Sequence, residues 1–156
     1  MIEVDIPGGE ALHLSHLVLD YNGTLARDGE LLDGVAEKMA DLAMHIKLHV
    51  VTADTHGTVG QKLAGLPCSL QIIGPTGQDR QKEAYVRALG AEKVAAIGNG
   101  RNDGLMLKTA VLGFALIQEE GAGIAAILQA DIICTDILNA FDLLLKPGRL
   151  KATLRN

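Results

Sequence analysis

The stretch Leu17-Val18-Leu19-Asp20-Tyr21-Asn22-Gly23-Thr24-Leu25 decides the fold, because an apolar run ends directly in an aspartate and a Gly-Thr turn. The aliphatic residues predict a buried strand, and Asn22-Gly23 favours a sharp turn with exposed backbone amides. Such amides can bind an anion, and a carboxylate held at the end of a strand can act as a nucleophile towards phosphorus. An isolated Asp-x-Asn-Gly is more often an ordinary strand and turn, so the function depends on the rest of the chain.

Short apolar runs alternate with helical segments along the chain. The runs that predict strands are residues 17–19, 48–51, 70–73, 94–97, 111–116 and 132–134. Continuous apolar strands separated by helices indicate a parallel sheet covered by helices on both faces. The predicted fold class is therefore α/β, a doubly wound, three-layer, Rossmann-like parallel sheet.

Two amphipathic stretches and a turn complete the prediction. Apolar residues share one helical face in the first and the last stretch: Val35, Met39, Leu42, Ala43 and Ile46, then Ile137, Leu138, Phe141, Leu144 and Leu145. Residues 2–6 and 11–14 flank Pro7-Gly8-Gly9. This pattern predicts an N-terminal β-hairpin that extends the edge of the sheet.

Length and composition limit the class of protein. A chain of 156 residues suffices for one packed domain and is too short for two, so we expect a single domain over residues 1–156. Hydrophobic residues make up 48% and charged residues 21%, which indicates a globular chain. No apolar run is long enough to cross a bilayer, and Met1-Ile2-Glu3-Val4-Asp5 is acidic where an export signal would be basic. We therefore expect a cytoplasmic protein without a membrane partner.

Charge and cysteine content exclude two further classes. A net charge of -5, with no basic block before the carboxy terminus, argues against a nucleic-acid partner. Cys68 and Cys134 lack the spacing of a zinc site or a disulfide framework. Aromatic residues make up only 3%, so few side chains can stack on bases or sugars and specificity must come from polar groups.

Polar residues follow three of the predicted strands. Asp20 ends the first strand, Thr52 follows residues 48–51, and Gly98-Asn99-Gly100-Arg101-Asn102-Asp103 follows residues 94–97. In doubly wound sheets, ligands bind beyond the carboxyl ends of the strands, where the strand order reverses. We therefore expect these segments to contribute to one site.

With Lys82 at the start of a predicted helix, these segments resemble the four motifs of the haloacid dehalogenase superfamily of phosphatases and phosphotransferases, in order and in spacing. Asp20-Tyr21-Asn22-Gly23-Thr24 resembles the first motif, Thr52-Ala53-Asp54 the second, Lys82 the third and residues 98–103 the fourth. The likeness covers essentially the whole chain. The second and fourth motifs look most similar to those of the soluble phosphorylation domain of P-type ATPases.

The resemblance implies a Mg²⁺-dependent phosphohydrolase or phosphotransferase that forms a phospho-aspartate at Asp20. A phosphomonoester carries about two negative charges, so a carboxylate can approach it only when a cation screens the repulsion. Asp20 and Asp103 would supply carboxylates to the ion, and Asn22 and Asn99 would add neutral oxygens.

The resemblance also implies a set of phosphate-binding groups. Lys82 would neutralise both the attacking carboxylate and a phosphoryl oxygen, and Thr52, Ala53 and the backbone at Tyr21 would hold the remaining oxygens. Asp54 would either cap the following helix or form a salt bridge to Lys82; the sequence leaves both alternatives open.

Two residues depart from the superfamily pattern, and each departure removes a negative charge. Asn22 stands where superfamily phosphatases usually carry a second Asp, the general acid and base, so we expect turnover slower by about a hundredfold to ten-thousandfold. P-type ATPases also lack that Asp, and the resemblance to them suggests a slowly hydrolysed intermediate. Asn99 replaces an acid of the fourth motif, which predicts weaker metal binding.

Two alternatives to an enzyme stay open, and Asn22 and Asn99 motivate the first of them. One is a catalytically degenerate regulatory or sensor module that binds phosphate without turnover. The other is a nucleotide-binding flavodoxin-like or Rossmann fold, but Gly98-Asn99-Gly100 lacks the third spaced glycine of the dinucleotide fingerprint.

The intervals between the motifs leave no room for a cap domain, because each is already filled by a predicted helix and strand. We expect at most a small flap over residues 26–32. The resemblance implies a site that accepts a phosphorylated small molecule or a phosphoprotein, and that is either open or closed by a neighbouring subunit of a homo-oligomer. Among the histidines, only His56, near the second motif, is a candidate for substrate contact.

Overall fold

A computed structural model describes residues 1–54 and 57–155, so that His56 lies outside the described residues. The strands are β1 (Ile2–Val4), β2 (Leu12–Leu14), β3 (His16–Leu19), β4 (Ala26–Arg27), β5 (Glu30–Leu31), β6 (Lys47–Thr52), β7 (Cys68–Ile72), β8 (Val94–Gly98), β9 (Leu112–Leu116) and β10 (Ile132–Cys134). Across this part of the chain, six of them form one sheet in the order β10-β9-β8-β3-β6-β7. All neighbouring pairs in this sheet are parallel, which confirms the predicted fold class.

Helices cover both faces of the parallel sheet. They are α1 (Val35–Ala43), α2 (Val59–Lys62), α3 (Gln78–Leu89), α4 (Gly104–Thr109), α5 (Ile124–Gln129), α6 (Ile137–Leu145) and α7 (Pro147–Leu154). Apolar side chains of α1, α6 and α7 pack with Leu17 and Leu19 on one face, and those of α3, α4 and α5 pack with Val18 on the other. The buried face of α1 includes Val35 and that of α6 includes Phe141, as the amphipathic pattern predicts. Within the described ranges, none of the helices has the length and hydropathy to span a membrane.

The N-terminal hairpin is present, but it does not extend the parallel sheet. Strands β1 and β2 pair with each other in an antiparallel, two-stranded sheet of their own. Ile2 and Leu14, which are paired, are buried in the core, whereas Glu3 and His13 between the apolar positions are exposed. The hairpin therefore contributes an apolar face to the core rather than a backbone edge to the sheet, and the predicted edge extension is wrong. A second hairpin, β4 with β5, occupies the segment expected to form a small flap.

The order of the strands positions the site. From β3 the chain continues to β6 and β7 on one side, and then crosses to β8 on the other side of β3. The strand order thus reverses between β3 and β8, which is where doubly wound sheets bind ligands. Asp20 follows β3 and Asn99 follows β8, so both residues lie at this crevice.

Candidate active site

Lys82 lies at the centre of the site, between two carboxylates. Its Nζ donates to Oδ1 of Asp20 and to Oδ1 of Asp103, at 2.6 Å in both cases. The side chain of Lys82 is 1% exposed and that of Asp103 is fully buried. Val86, one turn further along α3, is buried against the sheet, so the same helical face carries Lys82 towards Asp20. The three side chains together hold one negative charge in excess, which favours a cation nearby.

The charges of this cluster shift one another's ionisation. Burial and the neighbouring Asp103 carboxylate raise the pKa of Asp20 above its ordinary value, although Lys82 opposes the shift. Burial alone would lower the pKa of Lys82, but the two carboxylates outweigh it and the net shift is upwards. Lys82 is therefore charged at neutral pH and neutralises the carboxylate that it contacts.

Asp103 supports the turn that follows β8. Its Oδ2 accepts hydrogen bonds from the backbone N–H groups of Asn99 and Gly100, at 3.0 and 2.8 Å. A Cβ placed on Gly98 would lie 2.5 Å from Cγ of Asp103, so glycine is needed there for the close approach. Both oxygens of Asp103 thus have protein partners, and so have those of Asp20, whose Oδ1 contacts Lys82 and whose Oδ2 accepts from Oγ1 of Thr24 at 3.3 Å.

A cavity of about 270 Å³ opens beside Lys82. The residues expected at the site that line it are Asp20, Asn22, Thr52, Ala53, Lys82 and Asn99. Tyr21 and Asp103 are not among the described lining residues. Asn102 of the 98–103 segment also lines the cavity, whereas Gln78 and Glu120 line it without having been expected there. Asn102 donates to Oε1 of Gln78 at 2.7 Å, which ties the turn after β8 to the first turn of α3.

Thr52 and Tyr21 present different groups to this region. Thr52 is buried at the end of β6, and its Oγ1 accepts from the backbone N–H of Asp54 at 3.2 Å. The hydroxyl of Tyr21 donates to the carbonyl of Gly29, at 3.0 Å, in the turn between β4 and β5. Because the side chain of Tyr21 is buried in the core, only the backbone of this residue is available to contact a ligand.

Asp54 fills one of the two roles that the sequence leaves open. Its Oδ1 accepts from the backbone N–H groups of Thr58 and Val59, where α2 begins. Asp54 forms no ion pair with Lys82 among the side chains that the structure describes. The helix-capping alternative is the one observed.

The side-chain oxygen of Asn99 indicates whether the residues of this site fit a metal ion. Asn99 is 8% exposed, its Nδ2 donates to the carbonyl of Gly121 at 2.9 Å, and its Oδ1 accepts no hydrogen bond from the described residues. Together with Asp20 and Asn22 it gives a set of hard oxygen donors of the kind that Mg²⁺ prefers. No group of three or more His, Cys, Asp or Glu side chains that could hold a metal is found in the described ranges. Asp20, Asn22 and Asn99 therefore fit a divalent ion whose remaining ligands are water and phosphate oxygens.

Two proteins of Methanocaldococcus jannaschii are similar to this chain in sequence. The uncharacterized protein MJ0073 is 54% identical over 65 residues, which cover 42% of this chain and 70% of that protein. The uncharacterized protein MJ0072 is 38% identical over 39 residues, or 25% of this chain and 89% of that protein. No protein-family model matches the chain.

Solved structures share the fold at lower identity. The cobalt-bound deoxy-D-mannose-octulosonate 8-phosphate phosphatase of Haemophilus influenzae has a TM-score of 0.72 at 16% identity, covering 90% of this chain and 92% of that chain. The corresponding phosphatase of Moraxella catarrhalis, in complex with magnesium ion, phosphate ion and a KDO molecule, has a TM-score of 0.68 at 19% identity, covering 90% and 93%. A zinc-transporting PIB-type ATPase has a TM-score of 0.64 at 21% identity, covering 78% of this chain and 20% of that chain. The chain therefore has the haloacid dehalogenase fold, as the four motifs predict.

Proposed function

This chain belongs to the same family as the M. jannaschii protein MJ0073, and from its haloacid dehalogenase fold and the site described above we propose that it is a metal-dependent phosphohydrolase or phosphotransferase. The observation that carries the proposal is the contact of Lys82 with Asp20 and Asp103, at 2.6 Å each, beside a cavity at the crevice of the sheet. Attack on a phosphate dianion requires a carboxylate whose charge is compensated, and a buried ammonium provides that compensation.

The proposed reaction proceeds through a phospho-aspartate at Asp20. A carboxylate oxygen of Asp20 forms a bond to phosphorus, and the bond between phosphorus and the leaving oxygen breaks. The leaving oxygen takes its proton from water, because the amide of Asn22 cannot act as an acid. A water molecule then attacks phosphorus, which releases inorganic phosphate and restores the carboxylate; an acceptor hydroxyl in place of water gives phosphoryl transfer.

Mg²⁺ is the proposed cofactor, and it would offset the repulsion between Asp20 and the phosphate. Asp20, Asn22 and Asn99 would hold it, since all three residues line the cavity and carry oxygen donors. The metal-ligand role of Asp103 stays a prediction; its Oδ1 shares the ammonium group of Lys82 with Asp20, and its Oδ2 accepts from two backbone amides. The cobalt and magnesium named for two structures of the same fold support a divalent ion.

The proposed substrate is a phosphorylated small molecule, with a phosphoprotein as the second class. The structure of the M. catarrhalis phosphatase holds a phosphate ion and a KDO molecule, which supports the first class. Thr52, Ala53 and the backbone at Tyr21 would hold phosphoryl oxygens together with Lys82. We further propose one domain over residues 1–156 without a cap, in which the β4–β5 hairpin or a neighbouring subunit covers the cavity.

The proposal is tested by incubating the protein with Mg²⁺ and acetyl phosphate, p-nitrophenyl phosphate or a panel of sugar phosphates. We expect release of inorganic phosphate and a mass gain of one phosphoryl group on Asp20. Asp20→Asn should abolish both. Equal phosphate release by the wild type and Asp20→Asn, or none from either with no phosphoryl adduct, would reject the proposal.

A second candidate function is a phosphate-binding sensor without turnover, and the amides at Asn22 and Asn99 favour it. Such a module would be stabilised against thermal unfolding by Mg²⁺ with phosphate or a beryllium fluoride mimic, and would release no phosphate from any substrate. Turnover that is abolished by Asp20→Ala would remove this candidate.

A further inference from the structure

The loop of residues 117–123, which joins β9 to α5, is fastened to the turn after β8. The carbonyl of Gly121 accepts from Nδ2 of Asn99 at 2.9 Å, and the N–H of Gly123 donates to the carbonyl of Asn99 at 2.7 Å. A Cβ placed on Gly123 would lie 2.8 Å from the backbone nitrogen of Arg101, so the two backbones pack closely. The 117–123 loop is therefore fixed to one side of the crevice.

Gln118 fastens the same loop to the segment after Asp20. Its Nε2 donates to the carbonyls of Gly23 and Thr24, at 3.1 Å each, and its Oε1 accepts from the N–H of Ile137 at 2.8 Å. The loop is thus tied to both segments that form the crevice, and this fixes where its other side chains lie.

The two acidic residues of the 117–123 loop have different surroundings. Glu119 forms an ion pair with Arg27 of the β4–β5 hairpin. Glu120 forms no ion pair or hydrogen bond with any of the residues that the structure describes, and it lines the same cavity as Asp20 and Asn99. Glu119 is thus compensated by Arg27, whereas Glu120 is an exposed and unpaired residue that borders the cavity.

The cavity lacks two acids that the superfamily pattern would supply, since residues 22 and 99 are both asparagine. Glu120 brings one carboxylate to that cavity from a loop outside the four motifs. Asn99, more than nine-tenths buried, has its amide nitrogen held by Gly121, next to Glu120, and its oxygen left without a donor among the described residues. A cation in the cavity would be coordinated by oxygens of Glu120 and Asn99.

We propose that Glu120 is a ligand of the divalent cation, together with Asp20 and the side-chain oxygen of Asn99, and that it replaces the carboxylate missing at position 99. The inference rests on the proposed function for the identity of the ion. It follows from the fastened 117–123 loop, from the unpaired Glu120 that borders the cavity, and from the oxygen of Asn99 that has no donor among the described residues. Mg²⁺ prefers one or two carboxylates with water and phosphate, and Asp20 with Glu120 meets that preference.

The test is direct metal binding, measured by titrating the full chain with Mn²⁺ and recording the electron paramagnetic resonance of the free ion, with Mg²⁺ as competitor. We expect Glu120→Gln to raise the Kd by about tenfold or more, the range found when metal-site partners are removed. Glu119→Gln, which removes the same charge from the neighbouring position, should leave the Kd within about twofold, and Glu120→Asp should restore part of the affinity.

A wild-type Kd in Glu120→Gln would overturn the inference, whatever happens to turnover, and so would a wild type that binds no Mn²⁺. Phosphate release and the phosphoryl adduct at Asp20 are measured on the same samples. Glu120-dependent metal binding with no turnover and no adduct would leave this inference standing and reject the proposed enzyme. Asp20-dependent turnover with an unchanged Kd in Glu120→Gln would support the proposed enzyme and reject the role of Glu120 as a metal ligand.

Discussion

Gly23 and Asn99 are in direct contact across the crevice: a Cβ placed on Gly23 would lie 2.7 Å from Cγ of Asn99. Gly23 also has a φ of 79°, in the left-handed region that favours glycine. The position therefore requires glycine for its backbone and for the space that the asparagine side chain occupies.

Gly23→Ala should accordingly be more destabilising than a change that introduces backbone strain alone. The matched control is Gly65→Ala, because Gly65 has a φ of 81° and a Cβ placed on it would meet no described atom within 4 Å. We expect the control to lose about 1–2 kcal/mol and Gly23→Ala to lose about 1–3 kcal/mol more, by urea unfolding. Equal losses in the two variants would contradict the close contact.

Lys82→Met should destabilise the protein strongly, because it leaves Asp20 and Asp103 as buried neighbours without their shared cation. Removing one partner of a buried ion pair costs about 3–5 kcal/mol. Lys108→Met, at an exposed position of α4, is the control and should change the free energy of unfolding by less than about 0.5 kcal/mol.

The double variant Lys82→Met with Asp103→Asn separates charge from packing. We expect it to be more stable than the sum of the two single losses predicts, because the second change removes one of the uncompensated charges. Additive losses, measured by the same unfolding experiment, would show that the charge of Asp103 is not what Lys82 compensates.

Asn22→Asp should accelerate turnover by supplying the missing general acid and base. General acid–base catalysis contributes about a hundredfold to ten-thousandfold, so a gain of about tenfold or more in kcat is expected even with imperfect geometry. Asn102→Asp adds the same charge to the same cavity from the turn after β8 and should give no gain. Steady-state phosphate release with Mg²⁺ measures both; equal rates in the wild type and Asn22→Asp would contradict the assigned position.

A pair of histidines in neighbouring strands of the sheet, His16 in β3 and His49 in β6, makes the stability of the protein depend on pH. His49 of β6 is 7% exposed, and its ring contacts Nδ1 of His16 at 3.0 Å and the hydroxyl of Tyr85 at 2.9 Å. Burial, followed by the charges of His16 and Lys47, lowers the pKa of His49 to about 4 from its ordinary 6.5. Between these two values the unfolded chain binds a proton that the folded protein does not, so the free energy of unfolding falls as the pH is lowered through that window.

His49→Gln removes this contribution. Between pH 7 and pH 4.5 the wild type should lose about 2 kcal/mol more than the variant, by urea unfolding at both pH values. The raised pKa of Asp20 acts in the opposite sense, but both proteins contain it and the comparison cancels it. His45→Gln, at an exposed position, should follow the wild type; a His49→Gln variant that also follows the wild type would contradict the shift.

The sequence predicts those parts of the site that depend on strand ends. Asp20, Thr52 and Asn99 each follow a continuous apolar run, and the parallel sheet brings such ends to one edge. Lys82 is found by its place in the motif order. Its partners could not be ranked from sequence, because the contact with Asp103 in place of Asp54 depends on how α3 packs on the sheet.

Residues outside the strand ends required the structure. Glu120 and Gln118 belong to a loop with no periodicity, and their positions depend on hydrogen bonds to Gly23 and Asn99 from distant parts of the chain. The sequence predicts that the N-terminal hairpin forms, but it does not predict where the hairpin packs. Its alternating apolar residues specify that one face is buried, and do not specify which surface covers it.

The central position of β3 also affects how the protein is made. Strand β6 can pair with β3 soon after both leave the ribosome, whereas the opposite edge of β3 keeps its N–H and C=O groups unpaired until β8 has been synthesised. An aliphatic strand with an open edge is a template for intermolecular pairing. A chain that stops before Val94 lacks β8 and leaves this edge of β3 unpaired, so we expect such a fragment to aggregate.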